Sequence, residues 1–550
     1  MNASARALRL WYTVRHLRPV QIYGRAWHRL HRPRIDLSPA PPAMPARGQW
    51  QGCARAPSML GPNRFRFLNA EHDLRNGDWN DRALPKLWLY NLHYFDDLVA
   101  DGAAARAGWH ADLVRGWIAA NPPGAGNGWE PYCLSLRTVN WIKWLLSGHA
   151  PADDDARQAA LDSLAVQARY LAGRLERHLL GNHLWANYKA LLFAGLFFDG
   201  EEGARWLDIG LRGMRREIGE QILADGGHFE RSPMYHAILL EDLLDLIQLG
   251  ERYAPAVSRE DLELWRTRAA SMLGWLAVMT HPDGGIAFFN DAAHGIAPEL
   301  APLQDYARSL GLTPPERSGE ALQLLPESGY ARLEYGEAVL IADIGEVGPN
   351  YLPGHAHADT LSFELSLHGR RVLVNAGTSR YDIGAERLWQ RGTAAHNTVQ
   401  IDDQDSSEVW SSFRVARRAL PFAIGHGQDS GGVWLEAAHD GYKRLPGRAV
   451  HCRRWRLQED QLRVEDLIEG RFARAVARYR TPPGLRIGAA RVAGDGIEAL
   501  RWRSEPEGLS AHVAASTYHA GFGRSEACDV LEVAVPRDTG SAAIVFTWTS

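Results

Sequence analysis

Cysteine is scarce. There are four in 550 residues, at Cys53, Cys133, Cys452 and Cys528, and none has CxxC spacing. That argues against a disulfide framework and a thiolate metal site. An excess of positive charge is also missing: the net charge is −4, so no global basic field recruits nucleic acid. Basic character is local. The first 50 residues hold nine arginines and one acid, which reads as a basic surface helix wrapped on the body. The longest apolar run, "ALLFAGLFF", is too short to span a bilayer. The start "MNASARALRLWYTVRHLRPVQIYGR" has no continuous hydrophobic region of the kind a signal peptide needs. No repeat or low-complexity tract stands out. These absences point to a soluble cytoplasmic protein with neither nucleic acid nor membrane insertion.

What is present fits a multidomain α+β chain. Hydrophobic residues make up 45% and charged residues 23%, and 550 residues exceed one ordinary core. Twenty tryptophans and 17 tyrosines supply aromatic faces that suit sugar rings as well as cores. Residues 1–83 form an arginine-rich segment, with a Pro-rich loop at 37–49. Residues 84–325 read as helical. "LSLRTVNWIKWLLSG", "ARQAALDSLAVQARYLAGRLERHLL" and "YHAILLEDLLDLIQLGERY" repeat apolar residues every three or four positions, as in a bundle, solenoid or toroid of antiparallel helices. Residues 326–550 carry short alternating runs such as "LSFELSL" and "RVLVNAG", which predict an antiparallel β-sandwich.

Polar clusters interrupt both halves. "GHAHADTLSFEL" places His355, His357 and Asp359 two apart, which in an extended strand would put them on one face. "AHNTVQIDD" adds His396; neutral imidazoles on neighbouring strands can hold zinc or a similar ion. "GNGWEPYCLSLRTVNWIKW" presents Trp129, Glu130 and Tyr132 ahead of a helix, then Arg137 and Asn140 within it. Such a set can stack on and hydrogen-bond an acidic sugar, or simply cap and pair. In "GNHLWANYKALL", Gly181 breaks the chain, Asn182 reads as an N-cap and His183 stands beside it. That helix start favours a carboxylate. "DGGHFERSPMYH" puts Tyr235 in the first turn of a helix begun by Ser232 or Pro233. Tyr235 is a plausible proton-transfer group if nearby cations lower its pKa.

Together these blocks resemble the heparinase II/III-like polysaccharide lyases, in family order, from about residue 85 to 410. The run HAHAD…SFEL followed by AHNTV is the specific part. The resemblance implies an N-terminal (α/α) toroid followed by antiparallel β-sheet domains. It implies that Asn182 neutralises the substrate carboxylate. Tyr235 acts as Brønsted base and acid, and His355 assists as base or charge stabiliser. The substrate-binding set is then Trp129, Tyr132, Arg137, Asn140, His183, Trp185, Asn187 and Glu230. His357 and His396 match the family's metal-site histidines. Asn375 in "VLVNAGT" stands where the family often has aspartate, so this chain offers a neutral oxygen there. Trp185 stands where some members carry glutamate. The implied cofactor is a structural divalent ion, zinc first and manganese or calcium next. The implied partner is an acidic polysaccharide: a glycosaminoglycan such as heparan, chondroitin or hyaluronan, then alginate.

Two other classes remain open on the residues alone. A toroid hydrolase would need two carboxylates across a cleft, drawn from Glu130, Glu230 and Asp359. A non-catalytic polysaccharide-binding or assembly protein would keep the fold without the chemistry.

Overall fold

The computed structural model describes residues 3–74, 77–150, 153–494 and 496–549. Two helices open the chain, α1 (Ala3–Val14) and α2 (Pro19–Leu30). A three-stranded sheet follows, Met59–Gly61, Arg64–Phe67 and Ala70–Asp73, which the reading of residues 1–83 did not anticipate. Then come α3 (Lys86–Tyr94), α4 (Ala107–Ala120), α5 (Pro131–Leu146), α6 (Asp154–Ala172) and α7 (Gly181–Phe197). The helical half ends with α8 (Gly200–Gln221), α9 (Pro233–Arg252), α10 (Arg259–Val278) and α11 (Leu300–Ser309).

Helix α7 is the hub, buried on almost every side, and packs on α5, α6, α8 and α9. Its all-round apolarity follows from that position. Close approach of α7 and α8 depends on two glycines. A Cβ at Gly195 would lie 2.3 Å from the Leu207 nitrogen, and one at Gly213 would lie 2.3 Å from the Tyr188 ring. The toroid core is rich in fully buried indoles, including Trp88, Trp117, Trp141, Trp185, Trp206 and Trp265.

Strands begin at Leu322, slightly before the boundary expected at 325/326. The first sheet is an antiparallel meander: Leu322–Leu325, Tyr330–Tyr335, Ala338–Asp343, Phe363–Leu367 and Arg370–Leu373. An eight-stranded, a four-stranded and a two-stranded antiparallel sheet (Val409–Trp410 with Arg414–Val415) follow in the β half, and residues of the three larger sheets share one apolar core. The alternation seen in "QLRVEDLIE" appears as strict in-and-out burial along Gln461–Glu469. The short helix α12 (Ala385–Arg391) lies between the first sheet and the rest. Among the described residues, no helix is long and apolar enough to cross a membrane.

The segment holding His355, His357 and Asp359 is not a strand. Regular pairing starts only at Phe363, and residues 354–362 form an irregular loop. The reason lies in its contacts. The backbone N–H of His357 donates to the Asn290 side chain, and the backbone N–H of Asp291 donates to the His355 carbonyl. This loop therefore binds the helical half in place of a neighbouring strand.

Candidate active site

A cavity of about 710 Å³ opens between the toroid and the β half. Asn182, His183, Glu230, Tyr235 and His355 line it, and so do Tyr132, Asn140 and Tyr381. Its mouth is partly walled by α1, α2 and the turn between them through Thr13, Leu17, Gln21 and Arg25. Gln21 donates to the Tyr351 carbonyl, and the Trp410 indole donates to Thr13 Oγ1 at 3.1 Å, so these helices rest on β-half loops.

Each toroid segment at the site turns through a left-handed residue: Leu180 (φ 64°), Arg231 (φ 59°) and Asn290 (φ 57°). Such conformations cluster where surrounding structure over-determines them. Asn182 is the second residue of α7 rather than its cap; Leu180 takes the cap position without a side-chain bond. The Asn182 backbone N–H and its side-chain Nδ2 both donate to Glu230 Oε1, each at 3.2 Å. Glu230 thus fixes the amide plane, and Nδ2 also lies 3.4 Å from His355 Nε2. Tyr235 follows the cap Ser232, whose Oγ accepts the Tyr235 N–H and donates to the Asp291 carbonyl.

The ring of Tyr235 lies 3.9 Å from that of His355, centroid to centroid. Its hydroxyl is 3.2 Å from the Tyr381 hydroxyl. Burial and the neighbouring Tyr381 push the Tyr235 phenol well above the ordinary tyrosine range. Burial outweighs any lowering by nearby cations such as Arg387, so Tyr235 holds its proton in the resting site.

Asp291 was missed by sequence reasoning and organises the centre. Oδ2 sits 2.9 Å from His355 Nδ1 and Oδ1 sits 2.9 Å from His357 Nε2. Arg387 of α12 completes it with a forked pair to both oxygens, fully buried. The Arg387 charge and these imidazole bonds outweigh burial and hold the Asp291 carboxyl well below the usual range. Tyr381 and Arg387 were also missed. The only signal for Asp291 was an acid in "FFNDAAHG", a turn-rich stretch with no helical or strand period.

Four expected substrate contacts are packing residues instead. Trp129 lies in an aromatic cluster with Trp117 and Tyr170, its indole donating to the Asn121 carbonyl. Arg137 is fully buried over the Trp117 ring and bonds Gln167 and the His93 carbonyl. Trp185 is buried in the toroid core. Asn187 accepts the Glu176 N–H and donates to Ser135 and Glu176, which in turn holds His183. Each of the four packs within the toroid, and none lines the cavity. Tyr132 does line it, its ring 4.5 Å from that of His183. Glu176 raises the His183 pKa against burial.

The metal-site expectation changes in one member. His357 Nδ1 is 3.3 Å from His396 Nε2, and Asp359 joins them in a buried group with ligand atoms within 4.8 Å of one another. Asn375 does not take part. It donates to the Phe288 carbonyl and its oxygen accepts the Asn397 N–H at 3.0 Å, so it braces two loops. The group suits a divalent cation. Burial keeps both imidazoles neutral, as ligands must be. Burial raises the Asp359 carboxyl, and a cation would relieve that cost. Asp291 would then orient His357 from outside the ligand set.

The chain belongs to the heparinase II/III family. Residues 107–308 match the family model described as "Heparinase II/III N-terminus", and residues 317–547 match "Heparinase II/III-like, C-terminal". FtsZ-localized protein C of Caulobacter vibrioides is 29% identical over 503 residues, covering 85% of this chain and 83% of that one. A heparin-sulfate lyase of Bacteroides stercoris is 26% identical over 252 residues, 42% of this chain and 37% of that one. Among solved structures, a heparinase III superposes with TM-score 0.69 at 16% identity, covering 86% of this chain and 79% of that one. A heparan sulfate lyase from Pedobacter heparinus gives TM-score 0.59 at 17% identity, covering 96% and 88%. These likenesses establish the toroid followed by a β-sandwich.

Proposed function

We propose that the protein is a lyase that cleaves 4-linked uronate bonds of an acidic polysaccharide by β-elimination. The observation that carries this is the convergence of Asn182, Tyr235 and His355 from three distant segments on one wall of the cavity. Asn182 Nδ2 has one N–H committed to Glu230 and presents the amide to the substrate carboxylate. His355 Nε2 borders the cavity, 3.4 Å from both Asn182 Nδ2 and Glu230 Oε2, while Asp291 on Nδ1 favours the tautomer with the proton on Nδ1. His355 takes the proton from C5, the C4–O4 bond breaks, a C4=C5 double bond forms, and Tyr235 gives its proton to the departing O4. The raised Tyr235 pKa supports this division of labour over a tyrosine that serves as both base and acid.

The magnitudes are sufficient in kind. A donor aimed at developing charge supplies about 3–4 kcal/mol. A placed acid or base supplies roughly 10²–10⁴-fold each. The metal group, when loaded, supplies charge neutralisation for buried Asp359 and rigidity behind His355. Glycosaminoglycan-type chains come first as substrates and alginate second.

A non-catalytic binding or assembly role is the second reading, favoured by the 29% likeness to a protein named for its localisation with FtsZ. A hydrolase is disfavoured. Of Glu130, Glu230 and Asp359, only Glu230 lines the cavity. Glu130 is held by Lys86, and Asp359 sits in the metal group. Purified protein should be incubated with a panel of uronate polymers while ultraviolet absorbance is followed. A lyase generates the conjugated unsaturated uronate, a hydrolase yields reducing ends without it, and a binder yields neither.

A further inference from the structure

The cavity carries little uncommitted positive charge, although a sulfated chain would need a great deal. Six Lys and Arg side chains line it, and so do six Asp and Glu. The pairing matters more than the tally. Lys189 Nζ is 2.5 Å from Asp242 and also bonds Asp245; Lys143 Nζ is 2.5 Å from Asp245. Arg55 is forked onto Glu241, and Lys86 is 3.0 Å from Glu130. Arg25 and Arg414 are the remaining lining cations, both exposed, and Arg414 stacks on Trp410 with its charge 4.9 Å from the ring.

We propose that this site accepts a chain whose negative charge resides on the uronate carboxylate alone, an unsulfated uronate-containing polysaccharide. The inference rests on the lyase reading for the position of that carboxylate, beside Asn182 and His183. A sulfate entering the interior loses its hydration and must be met by a desolvated cation. Taking Lys143 or Lys189 away from its partners would strand buried carboxylates, which costs more than the new pair returns. The inner wall leans the other way. Asp242 is raised above the ordinary range even beside Lys189, because burial and the neighbouring Asp245 and Glu241 oppose its charge. A second anion there would add to that repulsion. A single carboxylate at the Asn182 end avoids it.

The test compares size-matched tetrasaccharides of one uronate backbone, unsulfated and sulfated, by equilibrium binding and by formation of unsaturated product. The unsulfated chain should bind and turn over at least about tenfold better, with binding that changes little as salt is raised. Equal or better binding of the sulfated chain overturns the inference, whether or not it is cleaved. Preferential binding of the unsulfated chain without unsaturated product would sink the lyase reading and leave the charge inference standing. Binding of neither chain would sink both. Glu241→Gln offers an independent check, since it frees Arg55 inside the cavity. It should improve binding of the sulfated chain severalfold and leave the unsulfated one nearly unchanged. A folded variant with an unaltered ratio would overturn the charge argument.

Discussion

His355 and Asp291 form a part-buried imidazole–carboxylate pair, Nδ1 to Oδ2 at 2.9 Å, although they lie on different halves of the molecule. The pair aims Nε2 at the cavity and fixes which nitrogen carries the proton. Asp291→Asn keeps the shape and can present its NH₂ to His355, which favours the wrong tautomer. Turnover should fall by at least about 10²-fold. Stability should fall by several kcal/mol as well, because Arg387 is left as a buried charge without its partner. Activity within a few-fold of wild type would show that the pair does not orient a base.

Tyr235→Phe keeps the ring that packs against His355 and removes only the hydroxyl. Turnover should drop by roughly 10²–10⁴-fold while substrate binding and thermal stability stay close to wild type. The readout is unsaturated uronate released per enzyme, alongside a melting curve. A loss confined to KM would reassign Tyr235 to binding.

Gly181 must be glycine for two reasons. Its φ is +55°, and a Cβ there would lie 2.5 Å from both Glu230 Oε1 and Leu352 Cδ2. Gly181→Ala should therefore push Glu230 off Asn182. The expected result is a loss of turnover out of proportion to a stability cost of about 1–2 kcal/mol for the left-handed backbone. A variant that loses stability but keeps full specific activity would detach Glu230 from the function of Asn182.

His396→Ala removes one member of the proposed metal group. Divalent metal content and melting temperature should fall together, and exhaustive chelation of the wild type should have the same effect. If chelation abolishes turnover with melting temperature and substrate binding unchanged, the ion is catalytic and the bracing role is wrong.

Buried neutral histidines set the acid limit of stability. Burial lowers His93 to about 3 and His236 to about 4. In each, a ring nitrogen accepts from a neighbouring N–H: the Trp117 indole for His93, and the His228 backbone for His236. Because the folded pKa lies below the unfolded one, their contribution is complete above about pH 6.5 and is lost as pH falls toward the folded values. Each such group costs about 1.4 kcal/mol per pH unit within that window. Melting temperature should decline from pH 6.5 downward, before carboxylates titrate. A flat profile from pH 7 to 5 would contradict this.

Much of the architecture was legible in the sequence because helical and strand periods are local. The α7 and α9 starts were visible from Gly181 and from Ser232-Pro233, whose roles depend on neighbours a few residues away. Asn182, Tyr235 and His355 were found through short blocks of distinctive sequence. Asp291 and Arg387 were not, since their meaning comes from a meeting across 96 residues. Trp129 and Arg137 show the converse. An aromatic and a cation are written identically whether they meet a sugar or the core, and only the packing of Trp117 and Tyr170, from α4 and α6, decides. His355, His357 and Asp359 were read as one face of a strand; they lie instead on a loop that answers to Asn290 and Asp291, and Asp359 stands with His357 and His396 where Asn375 was expected.

The two family modules begin at residue 107 and residue 317, yet the cavity mouth is walled by side chains from residues 13 to 25. Homologues alike in both modules can thus diverge in what they admit by exchanging only their first thirty or so residues. Grouping them by module identity alone would merge proteins with different diets.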